Sequence, residues 1–175
     1  MLCNITTRKI NNGLGDLLNK FKMIVKLREI TQSNYYEVCL LTTNADGMPT
    51  FDEEYVCANS VSIAESKYYP NLHTRAIYQG DTAVGFMLFG PYEEDENNFW
   101  LLRYMIDYRY RGKGFGKAAF EAFLKEVEAL NSISTIYLGL YPENEIAKAL
   151  YTSFGFVFTG REKDEEHIYK LDLNK

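Results

Sequence analysis

Apolar and polar residues alternate with two different periods along this chain, and the switches between them mark out its elements. Residues 24–30, 75–78, 82–89, 99–106 and 134–140 carry the alternating or continuous apolar runs of strands, and two more close the chain near 156–159 and 167–173. Elsewhere the spacing lengthens to three and four. Phe120, Phe123, Leu124 and Val127 share one face of a helix expected over 117–130. Ala147, Leu150, Tyr151 and Phe154 form a single apolar stripe on a helix over 144–153, which Gly155 can end. Thr31 or Ser33 can cap a first helix running to 41. A second is expected over 52–67, with Asp52, Glu53 and Glu54 at its positive end. Residues 42–50 read as a linker, Gln79-Gly80-Asp81 as a hairpin turn and 93–97 as an acidic turn. The order is β-α-α-β-β-β-α-β-α-β-β, with no internal repeat.

One turn in this pattern carries chemistry. Arg111-Gly112-Lys113-Gly114-Phe115-Gly116 joins the strand 99–106 to the helix that follows. A glycine-rich turn at a helix start leaves backbone N–H groups pointing outward at the positive end of the helix dipole, a ready site for a pyrophosphate. Glycine permits the positive φ angles of such a nest and lets phosphates come close. Arg111, Lys113 and Lys117 add positive charge. A P-loop is excluded, because no Ser or Thr lies in or just after the turn. The glycines run Gly-x-Gly-x-Gly, and they fall past mid-chain, where a dinucleotide fold has too little sequence left. A plain capping turn would account for one glycine, or two.

About thirty residues downstream lies Asn144-Glu-Ile-Ala-Lys-Ala-Leu150-Tyr151-Thr-Ser-Phe154-Gly155-Phe156. Asn144 can cap the helix or reach a ligand. Together the Arg-x-x-Gly-x-Gly turn and this segment resemble the acetyl-CoA pyrophosphate loop and the C-terminal motif of the GNAT-superfamily N-acetyltransferases. The resemblance extends over roughly residues 24–173. Within the superfamily it is strongest to bacterial spermine/spermidine acetyltransferases, through Glu54, Glu65-Ser-Lys-Tyr68-Tyr69-Pro70, Val84-Gly85-Phe86, Trp100-Leu-Leu-Arg103-Tyr-Met-Ile-Asp107 and the turn after Tyr110.

The resemblance implies an α/β (α+β) acyl-CoA N-acyltransferase fold, with a mixed central sheet of about six to seven strands flanked by about four helices. It implies acetyl-CoA as cosubstrate, bound by residues 111–117 with Met105, Ile106, Asn144 and Tyr151, and no metal. A backbone N–H at or near Met105 would bond the acetyl oxygen, where one such donor is worth about 2.7–4 kcal/mol. Ile106 would hold the pantetheine arm. Tyr151 matches the general acid that protonates the departing thiolate, whereas periodicity alone makes it a core tyrosine. Glu54 resembles a family acid and is the candidate base; a solvated helix-end acid, or deprotonation in solvent, is the rival. The acceptor would be a polyamine, attacking directly in a ternary complex. Its charges suit two acidic clusters, Asp52-Glu53-Glu54 and Glu93-Glu94-Asp95-Glu96, with Phe51, Tyr55 and Tyr92 beside its methylenes. Tyr68, Tyr69 and Trp100 read as core or wall residues. Another amine acceptor (a protein N-terminus, an amino acid, an aminoglycoside) and a non-catalytic acyl-CoA-binding module are the alternatives.

Composition narrows the rest. With 46% apolar and 15% aromatic residues, 175 residues fill one substantial core, and a net charge of −5 argues against nucleic acid as partner. Cys3, Cys39 and Cys57 have no metal-ligand spacing, and His73 and His167 are isolated, which fits reduced thiols in a cytoplasmic enzyme. No apolar run reaches membrane-spanning length. A homodimer is expected only by analogy with the family. Residues 1–22 are expected to lie outside the catalytic domain, 23–175, or even upstream of the true start; the spacing of Leu14, Leu17, Leu18 and Phe21 offers a packed helix as the rival.

Overall fold

The structure is a computed structural model describing residues 24–51, 53, 55–92, 98–130 and 132–173. The expectations for residues 1–22 and for Asp52, Glu54, Glu93 and Glu94 lie outside the described residues. Seven strands form one mixed sheet: β1 Lys26–Glu29, β2 His73–Gln79, β3 Thr82–Pro91, β4 Asn98–Ile106, β5 Thr135–Leu140, β6 Val157–Lys163 and β7 Glu166–Asp172. Their order across the sheet is β1-β2-β3-β4-β5-β7-β6. Every neighbouring pair is antiparallel except β4 and β5. Among the described residues four helices accompany it: α1 Tyr35–Cys39, α2 Asn59–Glu65, α3 Phe115–Glu128 and α4 Glu145–Ser153. This is the mixed sheet with about four flanking helices that the resemblance implies.

Two apolar clusters lie on opposite faces of the sheet, as strand alternation requires. On one face α3 presents Phe115, Ala119, Phe120, Phe123 and Val127, all buried, to Ile77, Val84, Ile136 and Leu138. The α4 stripe joins the same layer, with Tyr151 buried and Ala147, Leu150 and Phe154 packed against it. On the other face Val38 and Leu41 cover Ala76, Phe86, Leu88 and Met105. Among the described residues, no helix is long and apolar enough to cross a membrane.

Two local expectations are corrected. The second helix starts at Asn59 rather than near 52. The Glu53 amide donates to the Val56 carbonyl at 2.9 Å and the Ala58 amide to the Phe51 carbonyl at 3.0 Å, and neither is the i→i−4 bond of a helix. Tyr68 and Tyr69, expected in the core or a wall, are 82% and 52% exposed. They lie in and beside the turn that follows α2, where no layer covers them.

Phe120 is the hub of the α3–α4 layer, with ring centroids 4.7 Å from Phe154, 5.4 Å from Tyr151 and 5.5 Å from Phe123. Phe120→Ala leaves a cavity beneath Tyr151. Urea denaturation should show a loss of about 3–5 kcal/mol, and Phe120→Leu should lose clearly less.

Candidate active site

The site begins where β4 leaves β5. These two strands pair only at Asn98↔Thr135, Phe99↔Ile136 and Trp100↔Tyr137. On its other edge β4 pairs with β3 throughout, but the register shifts between Leu88 and Phe89, leaving Leu102 as an extra residue. Such a bulge bends its strand and increases its twist. Beyond it, Leu101 to Met105 of β4 and Gly139 to Tyr141 on the β5 side face each other across a cavity of about 410 Å³.

The backbone of β4 shows which amides face this gap. The Asp107 amide donates to the Val84 carbonyl on β3 at 3.0 Å. Met105, two residues earlier and opposite Phe86, shares that side by ladder alternation. A Cβ on Gly85 would meet the Met105 carbonyl oxygen at 2.4 Å, which places that peptide against β3 as well. The donors turned to the gap are therefore the amides of Tyr104 and Ile106. The donor expected at or near Met105 therefore falls to its two neighbours, and the Met105 side chain lies on the cavity wall.

The glycine turn closes one end. Gly112 has φ +71° and Gly114, the residue before α3, has φ +87°. Gly114 offers no side chain to cap the helix, so its first amides point out of the turn. Arg111, Lys113 and Lys117 are exposed around it. Arg111 also lines the cavity, while Lys113 Nζ donates to the Arg109 carbonyl at 2.7 Å. The loop thus fits a diphosphate through backbone donors backed by exposed cations. Gly116 has a different role: the Tyr104 hydroxyl donates to its carbonyl, and a Cβ there would make only ordinary contacts.

A buried aspartate ties the loop after α1 to the end of β4. Asp107 is fully buried and accepts from the Thr42 amide at 3.1 Å and from Arg109 Nε and Nη2 at 2.7 and 3.0 Å. Burial works to raise its pKa. The hydrogen bonds from Arg109 and Thr42 outweigh that and hold the carboxyl below its ordinary value. Thr42 in turn donates its hydroxyl to Glu53 Oε1 at 2.6 Å, and the Thr43 amide and hydroxyl donate to Oε2. Glu53, expected in the substrate site, does line the cavity, but with both oxygens engaged.

Tyr151 and Asn144 line the same cavity. Asn144 Oδ1 accepts from the Ala147 amide at 3.1 Å and caps α4, so its carbonyl oxygen is committed to the helix. Tyr151 is 8% exposed. Burial, with the charge of Glu166 adding to it, pushes its phenol above the ordinary tyrosine range, so the group keeps its proton at pH 7. Tyr92 is not brought here: it packs edge-on against Trp100 at 6.2 Å, beside the start of β4.

Tyr55, expected beside the acceptor, lines the cavity, and residues that pattern reading misses complete its walls: Cys57, Arg103, Tyr141 and Glu166. Arg103 Nε donates to Cys57 Sγ at 3.2 Å, and its Nη1 to the Leu102 carbonyl at 2.7 Å. The alternation of β4 could have placed Arg103 near the loop. Nothing local in the sequence points to Glu166.

Comparison with known proteins gives the family and the fold. The model of the acetyltransferase (GNAT) family matches residues 27–156. The chain belongs to the GNAT acetyltransferases. It is 32% identical over 143 residues to a spermine/spermidine N(1)-acetyltransferase of Bacillus subtilis, covering 79% of this chain and 91% of that one. The fold is shared with an acetyltransferase from Thermus thermophilus (TM-score 0.66, 20% identity, covering 85% of this chain and 97% of that one). It is shared too with a spermidine N-acetyltransferase from Vibrio cholerae solved with CoA and spermine (TM-score 0.62, 17% identity, covering 83% and 92%).

The sign of the Asp107 shift sets a pH test. A carboxyl depressed on folding contributes stability that is complete above its unfolded value, about 3.9, and is lost as pH falls through the lower folded value. Asp107→Asn should lose about 1–3 kcal/mol at pH 7 and flatten the acid side of the stability profile, read by urea melts from pH 3 to 7.

Proposed function

We propose that this acetyltransferase takes its acetyl group from acetyl-CoA and passes it to a primary amine of a polyamine, spermidine or spermine, by direct attack in a ternary complex. The observation that carries the transfer reading is the juxtaposition, in one cavity, of the open edge of β4 with a buried, protonated Tyr151. Acetyl-CoA supplies the activated thioester. The amides of the 112–117 turn receive its diphosphate, with Arg111, Lys113 and Lys117 around it. Tyr104 and Ile106 offer their free amides to the pantetheine arm and to the acetyl oxygen, where one donor is worth about 2.7–4 kcal/mol as negative charge builds. Tyr151 gives its proton to the departing thiolate.

The polyamine assignment is supported by the activity of the Bacillus subtilis relative and by carboxylates, Glu53 and Glu166, in the cavity wall. A second reading, an acceptor bearing a carboxylate beside its amine, is favoured by the Arg103 guanidinium in the same wall.

A coupled assay of CoA release across spermidine, spermine, lysine and peptide amines tests both. Polyamine rates well above the rest are expected; faster lysine turnover would favour the second reading, and flat rates would defeat the polyamine assignment. Tyr151→Phe should lower kcat about 10²–10⁴-fold while calorimetric acetyl-CoA affinity stays near that of the parent. Full turnover by this variant would remove Tyr151 from the chemistry.

A further inference from the structure

Gly139 and Glu166 make a matched pair that neither a periodicity nor a motif announces. Gly139 lies in β5 opposite Ile168 of β7, and Glu166 is its diagonal neighbour. A Cβ built on Gly139 would lie 2.1 Å from Glu166 Oε2 and 3.0 Å from its Cδ. The missing side chain at 139 is thus a notch, and the carboxylate of Glu166 fills it. Through that notch Glu166 reaches the wall of the active-site cavity.

The notch also decides from which side the carboxylate arrives. Leu138, Leu140, Tyr151 and Tyr169 belong to the α3–α4 face of the sheet. Alternation puts Gly139 and Glu166 on the opposite face. Both groups line one cavity, so it passes through the sheet where β4 and β5 part, with the phenol on one side and the carboxylate on the other. Glu53 has both oxygens occupied by Thr42 and Thr43, whereas Glu166 makes no side-chain hydrogen bond to any described residue. Burial raises the Glu166 pKa, the Arg103 charge opposes that, and Asp164 adds to it, which narrows the gap to an amine.

We propose that Glu166 is the carboxylate that receives the acceptor's ammonium group and takes its proton, and that Gly139 is the positioning residue that admits it to the site. This rests on the acetyl-transfer reading but not on which amine is the acceptor. The ammonium gives one proton to Glu166, which passes it to solvent. The nitrogen lone pair then forms the C–N bond to the acetyl carbon as the C–S bond breaks. Tyr151 protonates the thiolate and regains a proton from the second N–H of the new amide nitrogen. The products are the N-acetyl amine, CoA thiol and one released proton. The charged and titratable groups facing Glu166 are Arg103 on β4, Tyr151 on α4 and Asp164 in the β6–β7 turn. Glu53 and Cys57 stand on the same cavity wall.

Glu166→Gln, Gly139→Ala and the double variant test this on the full chain, with whichever panel amine the parent acetylates fastest. Glu166→Gln should lower kcat about 10²-fold or more at pH 7 and weaken calorimetric amine uptake about tenfold, with acetyl-CoA affinity unchanged. Its rate should keep climbing with pH toward 9, as free amine replaces ammonium, where the parent levels off. Gly139→Ala should reproduce part of the loss and add nothing in the Glu166→Gln background. A Glu166→Gln variant with the parent's kcat and pH profile, or additive losses in the double variant, would overturn the assignment while leaving acetyl transfer intact. A parent that releases no CoA with any amine would overturn the transfer reading and this one with it.

Discussion

Beyond Trp100 the backbone of β4 has no parallel partner, and unpaired donors and acceptors inside a protein are costly unless something else satisfies them. The chain arranges this cost at one place. A bulge at Leu102 bends β4 away, and the antiparallel β5–β7–β6 unit continues the sheet on the far side of the gap. The amides of Tyr104 and Ile106 are left facing open space, as a ligand with strand-like polar spacing would require. The separation of two strands, rather than any single side chain, is what turns a packed α/β domain into a receptor.

The surroundings hold that gap open. The Phe120 cluster fixes α4, and with it Tyr151, at a set height above β5. The Asp107–Thr42–Glu53 chain of hydrogen bonds fastens the loop between α1 and α2 to the end of β4. Hydrophobic packing supplies the rigidity, and a buried charge with its full complement of donors supplies the register.

What the sequence reveals, and what it hides, follows from the range of each interaction. The glycine turn, the α4 stripe and the element order are local, and each is legible from spacing within a dozen residues. The early start expected for α2 rests on three acids that suit a helix end. Glu53 is drawn instead to Thr42 and Thr43, a tertiary contact that propensity cannot register. Met105 stands in the right strand, but the direction of its amide is a question of register with β3, settled by Asp107 and Val84. Glu166 is hidden for the same reason: its neighbour Gly139 is close only after β5 and β7 pair.

The hydroxyl of Tyr104 bonded to the carbonyl of Gly116 ties the open edge of β4 to the first turn of α3. This tether mechanically gangs two features that would otherwise be separable, the shape of the glycine turn and the width of the channel. Evolution of the enzyme toward bulkier thioesters would therefore have to renegotiate both at once.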